Sequence, residues 1–372
     1  AVIVTWNVLQ HFYPYFDVVD VDWLAALDQG LEDAQRDASA SDTLITLRRM
    51  IAKLDDAHGA VLPPYDITTT VPAAFARVED KVVVVSAAEG SPLRRGDVVV
   101  GYDGEDVEAS LAATGALISG SAQWRDDRLL HQAEFTEGAR GTTARLDFER
   151  DGALVRVEVT REDAEVPVDT PYAPLVTLEG GVWYVDLSRV TASEFSQRID
   201  AIASAPGVIF DLRQYPREVT SQVIRHLLRA PERDRWMFKL RVIRPDHVDM
   251  TRWEAVGWDL DPAEPHIRGK VVFLAGGGTA SAAESVLGYV ERMEGVEIIG
   301  ETTAGANGNV APFITPGGYT IFFTGMRVLK HDGRIHHVVG VRPTIPMTRT
   351  LAGIRAGRDE LVERALEVVT RR

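Results

Sequence analysis

A glycine-rich segment in the last third of the chain places a serine where it could act as a nucleophile. The β-branched run Lys270–Ala275 predicts a buried strand, and the three glycines at 276–278 break it. Ser281 follows and opens a predicted helix, so its hydroxyl would lie beside backbone N–H groups that can stabilise an oxyanion. The structural alternative is that Ser281 only caps that helix.

Two other side chains could take part in the same chemistry. His58 lies in the segment 54–59 (LDDAHG), after a helical pattern, and a neutral imidazole can accept the proton of a serine. The alternative for His58 is a capping or core role. Glu284, at helical spacing from Ser281, could hold the turn through hydrogen bonds, or it could simply favour the helix start as a carboxylate.

Composition limits the classes of function. The chain has 372 residues, so two or three domains are expected. A formal net charge of −15 argues against nucleic acid and anionic lipid as partners, and no apolar run approaches the roughly 18 residues of a membrane span. The absence of cysteine excludes a disulfide scaffold and a thiol nucleophile, and it fits a periplasmic or secreted protein. The start without Met or a signal peptide predicts a mature or trimmed form.

Periodicity divides the chain into three predicted parts. Residues 1–68 predict a helical segment in which Gly59 stops the last helix, and residues 69–165 predict a mostly β module. In that module the Gly96-Asp97 turn should join two strands, and Asp151-Gly152 should close a hairpin. Residues 166–372 alternate strands and helices, which predicts an α/β core with a parallel sheet.

Active sites in such sheets lie beyond the carboxyl ends of the strands. The predicted strand at 207–212 ends in Asp211-Leu212-Arg213, and the strand before Ser281 ends at the glycine turn. Asp211 and Arg213 could pair and fix their loop, so a supporting role is expected for them.

Five motifs, in order along nearly the whole chain, resemble one family of serine peptidases. The family includes the carboxyl-terminal processing (tail-specific) proteases and the tricorn protease core. The motifs are SAAE at 281–284, GETTAG at 300–305, DG at 332–333 with GVRP at 340–343, DLRQYP at 211–216, and a PDZ-like LRRGD at 93–97 with DG at 103–104. The resemblance implies a crotonase/ClpP-like core, an inserted PDZ-like module and an N-terminal helical segment that contributes the catalytic histidine.

The resemblance also assigns roles to residues. The Ser–Lys branch of the family has a lysine where this chain has Ala306, so the tricorn-like Ser–His branch is the better match, with Ser281 as nucleophile and His58 as base. The backbone N–H groups of Ala282 and Arg217 would form the oxyanion hole. The family's proline-glycine-glycine is Pro216-Arg217-Glu218 here.

The acidic member of the Ser–His design is missing from its usual place. The family has a glutamate just before GVRP, and this chain has His336-His337 instead. His337 aligns with the glutamate and is expected to accept a hydrogen bond from His58, so that His337→Glu should raise activity. His331, His336 and His337 together could suggest a metal site, but a solvated hairpin is the preferred interpretation, and neither a metal nor another cofactor is expected.

These observations predict a serine peptidase that hydrolyses peptide bonds through an acyl-enzyme, on unfolded or C-terminal peptide segments. The alternative is a non-catalytic ligand- or peptide-binding protein on the same scaffold, which the missing acid favours. The expected partner is a peptide or protein substrate, and the sequence does not determine an oligomeric state.

Overall fold

The N-terminal part of the chain is helical, as predicted. A computed structural model describes residues 1–65, 68–242 and 251–371. It contains α1 (Val2–Phe12), α2 (Trp23–Ala34), α3 (Ala40–Ala52) and the short strand β1 (Ala60–Leu62). Asp22 and Ser39 cap α2 and α3 by accepting hydrogen bonds from backbone N–H groups of the first turn. The apolar faces of these helices pack in a separate cluster that includes Leu9, Leu47 and Ile51.

The last of these helices ends earlier than predicted. Helix α3 stops at Ala52, so the prediction that Gly59 ends it is wrong, and His58 lies in the loop that follows. Gly59 is instead at a point of close approach, because a Cβ there would lie 2.8 Å from the carbonyl oxygen of Asp56.

The middle of the chain forms its own antiparallel sheet. The strands are β2 (Ala73–Val78), β3 (Lys81–Ala87), β4 (Val98–Tyr102), β5 (Glu105–Asp106), β6 (Thr143–Arg150) and β7 (Ala153–Thr160), in the order β2-β3-β4-β6-β7 with β5 beside β4. Helices α4 (Val107–Gly115) and α5 (Ala122–Asp126) and a π-helical turn, Asp127–His131, accompany the sheet. Phe75, Leu146 and Phe148 are among the residues of a hydrophobic cluster specific to this inserted module.

Both turns predicted for the module are confirmed. Gly96 and Asp97 lie in the connection between β3 and β4. Asp151 and Gly152, with φ of 53° and 79°, are the two residues between the paired strands β6 and β7.

The remainder of the chain forms a mixed α/β core. Its elements are β8 (Leu175–Thr177), β9 (Trp183–Asp186), α6 (Ala192–Ser204), β10 (Gly207–Asp211), α7 (Ser221–Leu227), β11 (Met237–Val242), β12 (Thr251–Val256), β13 (Lys270–Ala275), α8 (Ala282–Val290), β14 (Val296–Gly300), β15 (Val310–Ile314), β16 (Thr320–Thr324), β17 (Met326–Val328), β18 (Ile345–Pro346), α9 (Leu351–Arg355) and α10 (Glu360–Thr370). The main sheet has the order β18-β14-β13-β10-β9-β8, and every pair but β8–β9 is parallel, which confirms the predicted parallel sheet.

Helices cover both faces of this sheet. Residues of α6, α7 and α8, such as Phe195, Val223 and Leu287, pack on one face, and α10 packs on the other through Val362 and Ala365. A small antiparallel sheet, β1-β16-β15, joins the N-terminal part to the core. None of the described helices is long and apolar enough to cross a membrane.

Candidate active site

Ser281 lies at the carboxyl end of β13, on a sharp turn into α8. It is the N-cap residue of that helix, and its backbone has φ 56° and ψ −115°. A residue with a Cβ rarely adopts a positive φ, and such strain is concentrated at functional sites. The Ser281 N–H donates to the carbonyl oxygen of Ala306 at 2.7 Å, which fixes the strained residue in place.

The two predicted oxyanion donors differ in whether their backbone N–H groups already donate a hydrogen bond. The N–H of Ala282, at the first position of α8, has no acceptor among the backbone hydrogen bonds of the described residues. The N–H of Arg217 donates to the Leu187 carbonyl oxygen at 3.2 Å, so this predicted donor is already engaged. Neither Arg217 nor Glu218 has a positive φ, so replacing the family's glycines causes no backbone strain there.

Glu284 holds the loop that faces Ser281. Its buried carboxylate accepts from the N–H of Gly305 at 2.7 Å, from the N–H of Ala306 at 2.8 Å and from the Thr303 hydroxyl. His336 Nε2 lies 3.3 Å from the same carboxylate. Burial alone would raise the pKa of Glu284, but His336 and these donors outweigh it and bring that pKa below its ordinary value. Of the two predicted roles for Glu284, the structure therefore shows the hydrogen-bonding one.

A cluster of alanines brings the serine and histidine segments together. Ala57, next to His58, packs with Ala280, next to Ser281, and with Ala304 and Ala306. Ala306 is fully buried at the position where the Ser–Lys branch of the family has its lysine. The segments that carry the two predicted reactive residues thus meet in one small apolar cluster.

His58 is held by a side chain that the sequence analysis missed. Its Nδ1 lies 2.8 Å from the hydroxyl oxygen of Thr324, the last residue of β16. The pairing of β1 with β16 sets Ala60 opposite Phe322, and continuing this register by two residues places His58 opposite Thr324.

Asp56 completes this arrangement and was also missed. Its side chain is fully buried and accepts from the Thr324 hydroxyl at 2.6 Å, from the Thr324 N–H at 2.7 Å and from the His58 N–H at 3.0 Å. The Asp-x-His spacing was visible in the sequence, but the threonine comes from a strand more than 260 residues away.

His337 does not have the role that was predicted for it from the sequence. Tyr13 donates its one hydroxyl proton to the Leu54 carbonyl oxygen, so the 2.9 Å contact with His337 must use a proton on His337 Nε2. The other nitrogen, Nδ1, has no hydrogen-bond partner among the described residues. The predicted hydrogen bond from His58 to His337 is therefore wrong for this structure.

The solvated hairpin predicted for the three histidines is wrong for two of them. His336 and His337 are 2% and 1% exposed, and the His337 ring stacks on Tyr15 with a centroid separation of 3.8 Å. Burial is the main cause that lowers the pKa of His337 to about 4, so the ring is neutral at pH 7. His331 lies elsewhere, stacked on Trp236.

Within the described part of the chain, one group of three side chains could hold a metal ion: Glu232, Asp234 and His331. Arg292, just beyond α8, forms ion pairs with both carboxylates. The group contains none of the residues around Ser281, so it does not contribute to the chemistry there.

Asp211 and Arg213 pair as predicted. Arg213 donates to Asp211 and to Asp359, the N-cap of α10, and the Tyr184 hydroxyl donates to Asp211 at 2.8 Å. Burial would raise the pKa of Asp211, but the adjacent Arg213 guanidinium outweighs it and lowers that pKa. The network ties the carboxyl end of β10 to the C-terminal helix, which is a structural role.

The inserted module contacts both segments that carry the predicted reactive residues, Ser281 and His58. On the histidine side, Ser119 accepts from the Asp56 N–H at 2.9 Å. On the serine side, Ser121 donates to the Ala304 carbonyl oxygen at 2.7 Å, and Gln123 donates to that of Thr303 at 2.8 Å. No motif in the sequence signals these contacts, because they join segments far apart in the chain.

A cleft of about 1040 Å³ lies between the module and the core. Strand β2, an edge strand of the module sheet, forms one wall. Arg213, Tyr215, Arg217 and the glycines at 276–278 form part of the other wall. Ser281 and His58 are not lining residues, but the glycine turn that leads to Ser281 is.

Comparisons with known proteins agree with the motifs. Residues 181–347 match the model of peptidase family S41. The carboxy-terminal processing protease CtpA of Bacillus subtilis (strain 168) is 24% identical over 320 residues, which covers 80% of this chain and 62% of that protein. The chain therefore spans less than two thirds of the length of this relative.

Solved structures share the fold. Mature CPAF complexed with lactacystin superposes with a TM-score of 0.77 at 16% identity, covering 99% of this chain and 98% of that one. The photosystem II D1 C-terminal processing protease gives 0.50 at 18% identity, covering 93% and 92%. At these identities the structural likeness shows the fold alone.

The resemblance to this family of serine peptidases, inferred from the sequence motifs, is confirmed by both matches, that of the family model over residues 181–347 and that of CtpA.

Proposed function

We propose that this protein is a serine endopeptidase in which Ser281 and His58 act through an acyl-enzyme. The observation that carries the proposal is the strained backbone of Ser281 at the start of α8, since φ 56° at a residue with a Cβ needs a compensating role. A serine on such a strand-to-helix turn has its hydroxyl exposed at the end of the sheet. The alanine cluster shared by Ala57 and Ala280 supports pairing with His58.

The reaction follows from these positions. His58 Nε2 takes the proton of Ser281 as the hydroxyl oxygen attacks the peptide carbonyl, and the N–H of Ala282 stabilises the oxyanion. His58 then gives the proton to the leaving amine, and water hydrolyses the ester by the same steps. The Arg217 N–H can join as second donor once it leaves the Leu187 carbonyl.

The substrate would be an extended peptide segment. Strand β2 is an edge strand beside the cleft, and a peptide can pair with such an edge through main-chain hydrogen bonds. The glycine turn before Ser281 lines the same cleft, so a peptide held there would lead toward the nucleophile. In this proposal residues 69–165 act as a PDZ-like module, between an N-terminal segment at 1–68 and a crotonase-like core at 166–372.

A binding protein on the same scaffold is the second candidate. The engaged Arg217 N–H and the missing glutamate near position 337 favour it, because both weaken catalysis. A fluorophosphonate probe separates the two candidates, since it reacts only with an activated serine. Labelling of one site per chain, detected as a mass increase and lost in Ser281→Ala and His58→Ala, is the expected result. An unlabelled, folded wild-type protein would favour the binding function.

A further inference from the structure

Three polar side chains, those of His58, Thr324 and Asp56, form a continuous hydrogen-bonded relay. His58 Nδ1 lies 2.8 Å from Thr324 Oγ1, which in turn lies 2.6 Å from Asp56 Oδ1. Asp56 is fully buried, and Thr324 is fully buried as well. The geometry is fixed in two ways. The β1–β16 register sets Thr324 opposite His58, and the N–H groups of Thr324 and His58 donate hydrogen bonds to the Asp56 carboxylate.

The protons in this relay can be assigned. A carboxylate only accepts, so the single hydroxyl proton of Thr324 points to Asp56. The Thr324 oxygen must then accept from His58, which requires the proton of a neutral His58 to be on Nδ1. Nε2 is left bare, and this is the tautomer that a general base needs.

We infer that Asp56, acting through the Thr324 hydroxyl, orients His58 and stabilises its imidazolium, in place of the glutamate that this chain lacks. The inference rests on the proposed function. When His58 Nε2 takes the serine proton, Nδ1 keeps its own proton and its bond to Thr324. The hydroxyl dipole and the Asp56 charge then face the new positive charge, and no proton moves along the relay.

The other ionisable groups near His58 do not offer this support. His337 donates its Nε2 proton to the Tyr13 hydroxyl oxygen, and its Nδ1 has no hydrogen-bond partner among the described residues. Glu284 is engaged by the 303–306 loop and by His336. Asp55, on the other side of Asp56, pairs with Arg125 at 3.1 Å. Among the residues that the structure describes, Asp56 is therefore the carboxylate connected to the imidazole.

The first test removes only the hydroxyl. Thr324→Val keeps the shape of the residue and should slow fluorophosphonate labelling roughly 10- to 100-fold, whereas Thr324→Ser, which keeps the hydroxyl, should restore most of the rate. Asp56→Asn should lose more, on the order of 10²- to 10⁴-fold. Thr320→Val, at the other end of β16, is the matched control and should label at the wild-type rate. Circular dichroism establishes that each variant is folded.

The pH profile separates this positioning role from a merely structural one. Loss of the relay destabilises the imidazolium, so the acid limb of the labelling rate should move to lower pH in Thr324→Val and stay in place in Thr324→Ser. A folded Thr324→Val that labels at the wild-type rate with an unchanged profile would overturn the inference and leave the proposed function standing.

A measurement that does not depend on activity tests the inference even if the wild-type protein is not labelled. ¹⁵N NMR of labelled histidines, with His58 assigned by its loss in His58→Gln, should show the proton on Nδ1 in the wild type and a mixture of tautomers in Thr324→Val. If the wild type does not label at all, the proposed function fails, and this spectrum still decides the orientation of His58. A proton on Nε2 in the wild type would contradict the relay.

Discussion

The backbone N–H of Ser281 and the carbonyl oxygen of Ala306 are joined by a hydrogen bond of 2.7 Å. The N–H of Ala306 donates in turn to Glu284, one turn into the helix that Ser281 opens. The serine, the loop and the helix therefore form a closed unit in which a buried carboxylate supports the strained residue. The nucleophile would be positioned by backbone contacts, which do not depend on its own side chain.

This unit predicts a large effect of Glu284→Gln. The amide would turn an N–H group toward donors that now meet a carboxylate oxygen, leaving buried groups unpaired. We expect a loss of about 3 kcal/mol in the free energy of unfolding, measured in urea, and slower labelling of Ser281. Glu294→Gln, at an exposed position just beyond α8, is the control and should change neither quantity. Equal stability of the two variants would show that the carboxylate charge is not needed.

The glycine turn predicts a contrast between neighbouring residues. A Cβ on Gly277 would lie 2.5 Å from the carbonyl oxygen of Gln123 in the inserted module, whereas a Cβ on Gly276 would meet nothing within 4 Å. Gly277→Ala should push α5 away from the glycine turn before Ser281 and slow labelling roughly 10- to 100-fold, while Gly276→Ala should label like the wild type. Equal rates for the two variants would show that the module does not control the geometry at Ser281.

Much of the core could be predicted from the sequence because its signals are local. The strands β9, β10, β13 and β14 are short apolar runs, and glycines or polar residues end them. The Asp151-Gly152 hairpin needed only its two turn residues. The end of α3 was misplaced because residues 53–58 continue the helical composition, whereas Asp55 with φ 48° has already left the helix.

Only the site residues that belong to short sequence motifs could be predicted from the sequence. Ser281, Glu284 and His58 belong to short motifs, and the structure brings their segments together. Thr324 and Ser119 belong to none, because their contacts depend on strand pairing and on the docking of the inserted module. The expected gain from His337→Glu is withdrawn, since a glutamate at this position would add a buried negative charge close to two existing carboxylates, those of Asp56 and Glu284.

Backbone strain at Ser281 predicts an unusual order of stabilities. Glycine adopts φ 56° without cost, whereas alanine has the same steric penalty as serine. Ser281→Gly should therefore be more stable than Ser281→Ala by about 1–2 kcal/mol in urea unfolding, with neither variant labelled. Helix propensity alone predicts the reverse order, so a more stable alanine variant would mean that the turn relaxes when the hydroxyl is removed.

The buried imidazole of His337 predicts how stability depends on pH. Burial lowers its pKa to about 4 in the folded protein, against an ordinary value of 6.5. Between these values the unfolded chain binds a proton that the folded chain does not, so the contribution of His337 is complete above about pH 6.5 and is lost as the pH falls toward 4. The difference corresponds to about 3 kcal/mol.

His337→Phe isolates this contribution. The phenyl ring can keep the stack on Tyr15, and Tyr13 keeps its hydrogen bond to the Leu54 carbonyl oxygen. Urea unfolding at about pH 7, 6, 5 and 4.5 should show a steeper loss of stability in the wild type than in His337→Phe, so that the difference in stability between the two proteins changes as the pH falls. Parallel curves over this range would mean that His337 takes up its proton at the same pH in the folded and unfolded states, and that its ring is not enclosed as the contacts with Tyr13 and Tyr15 require.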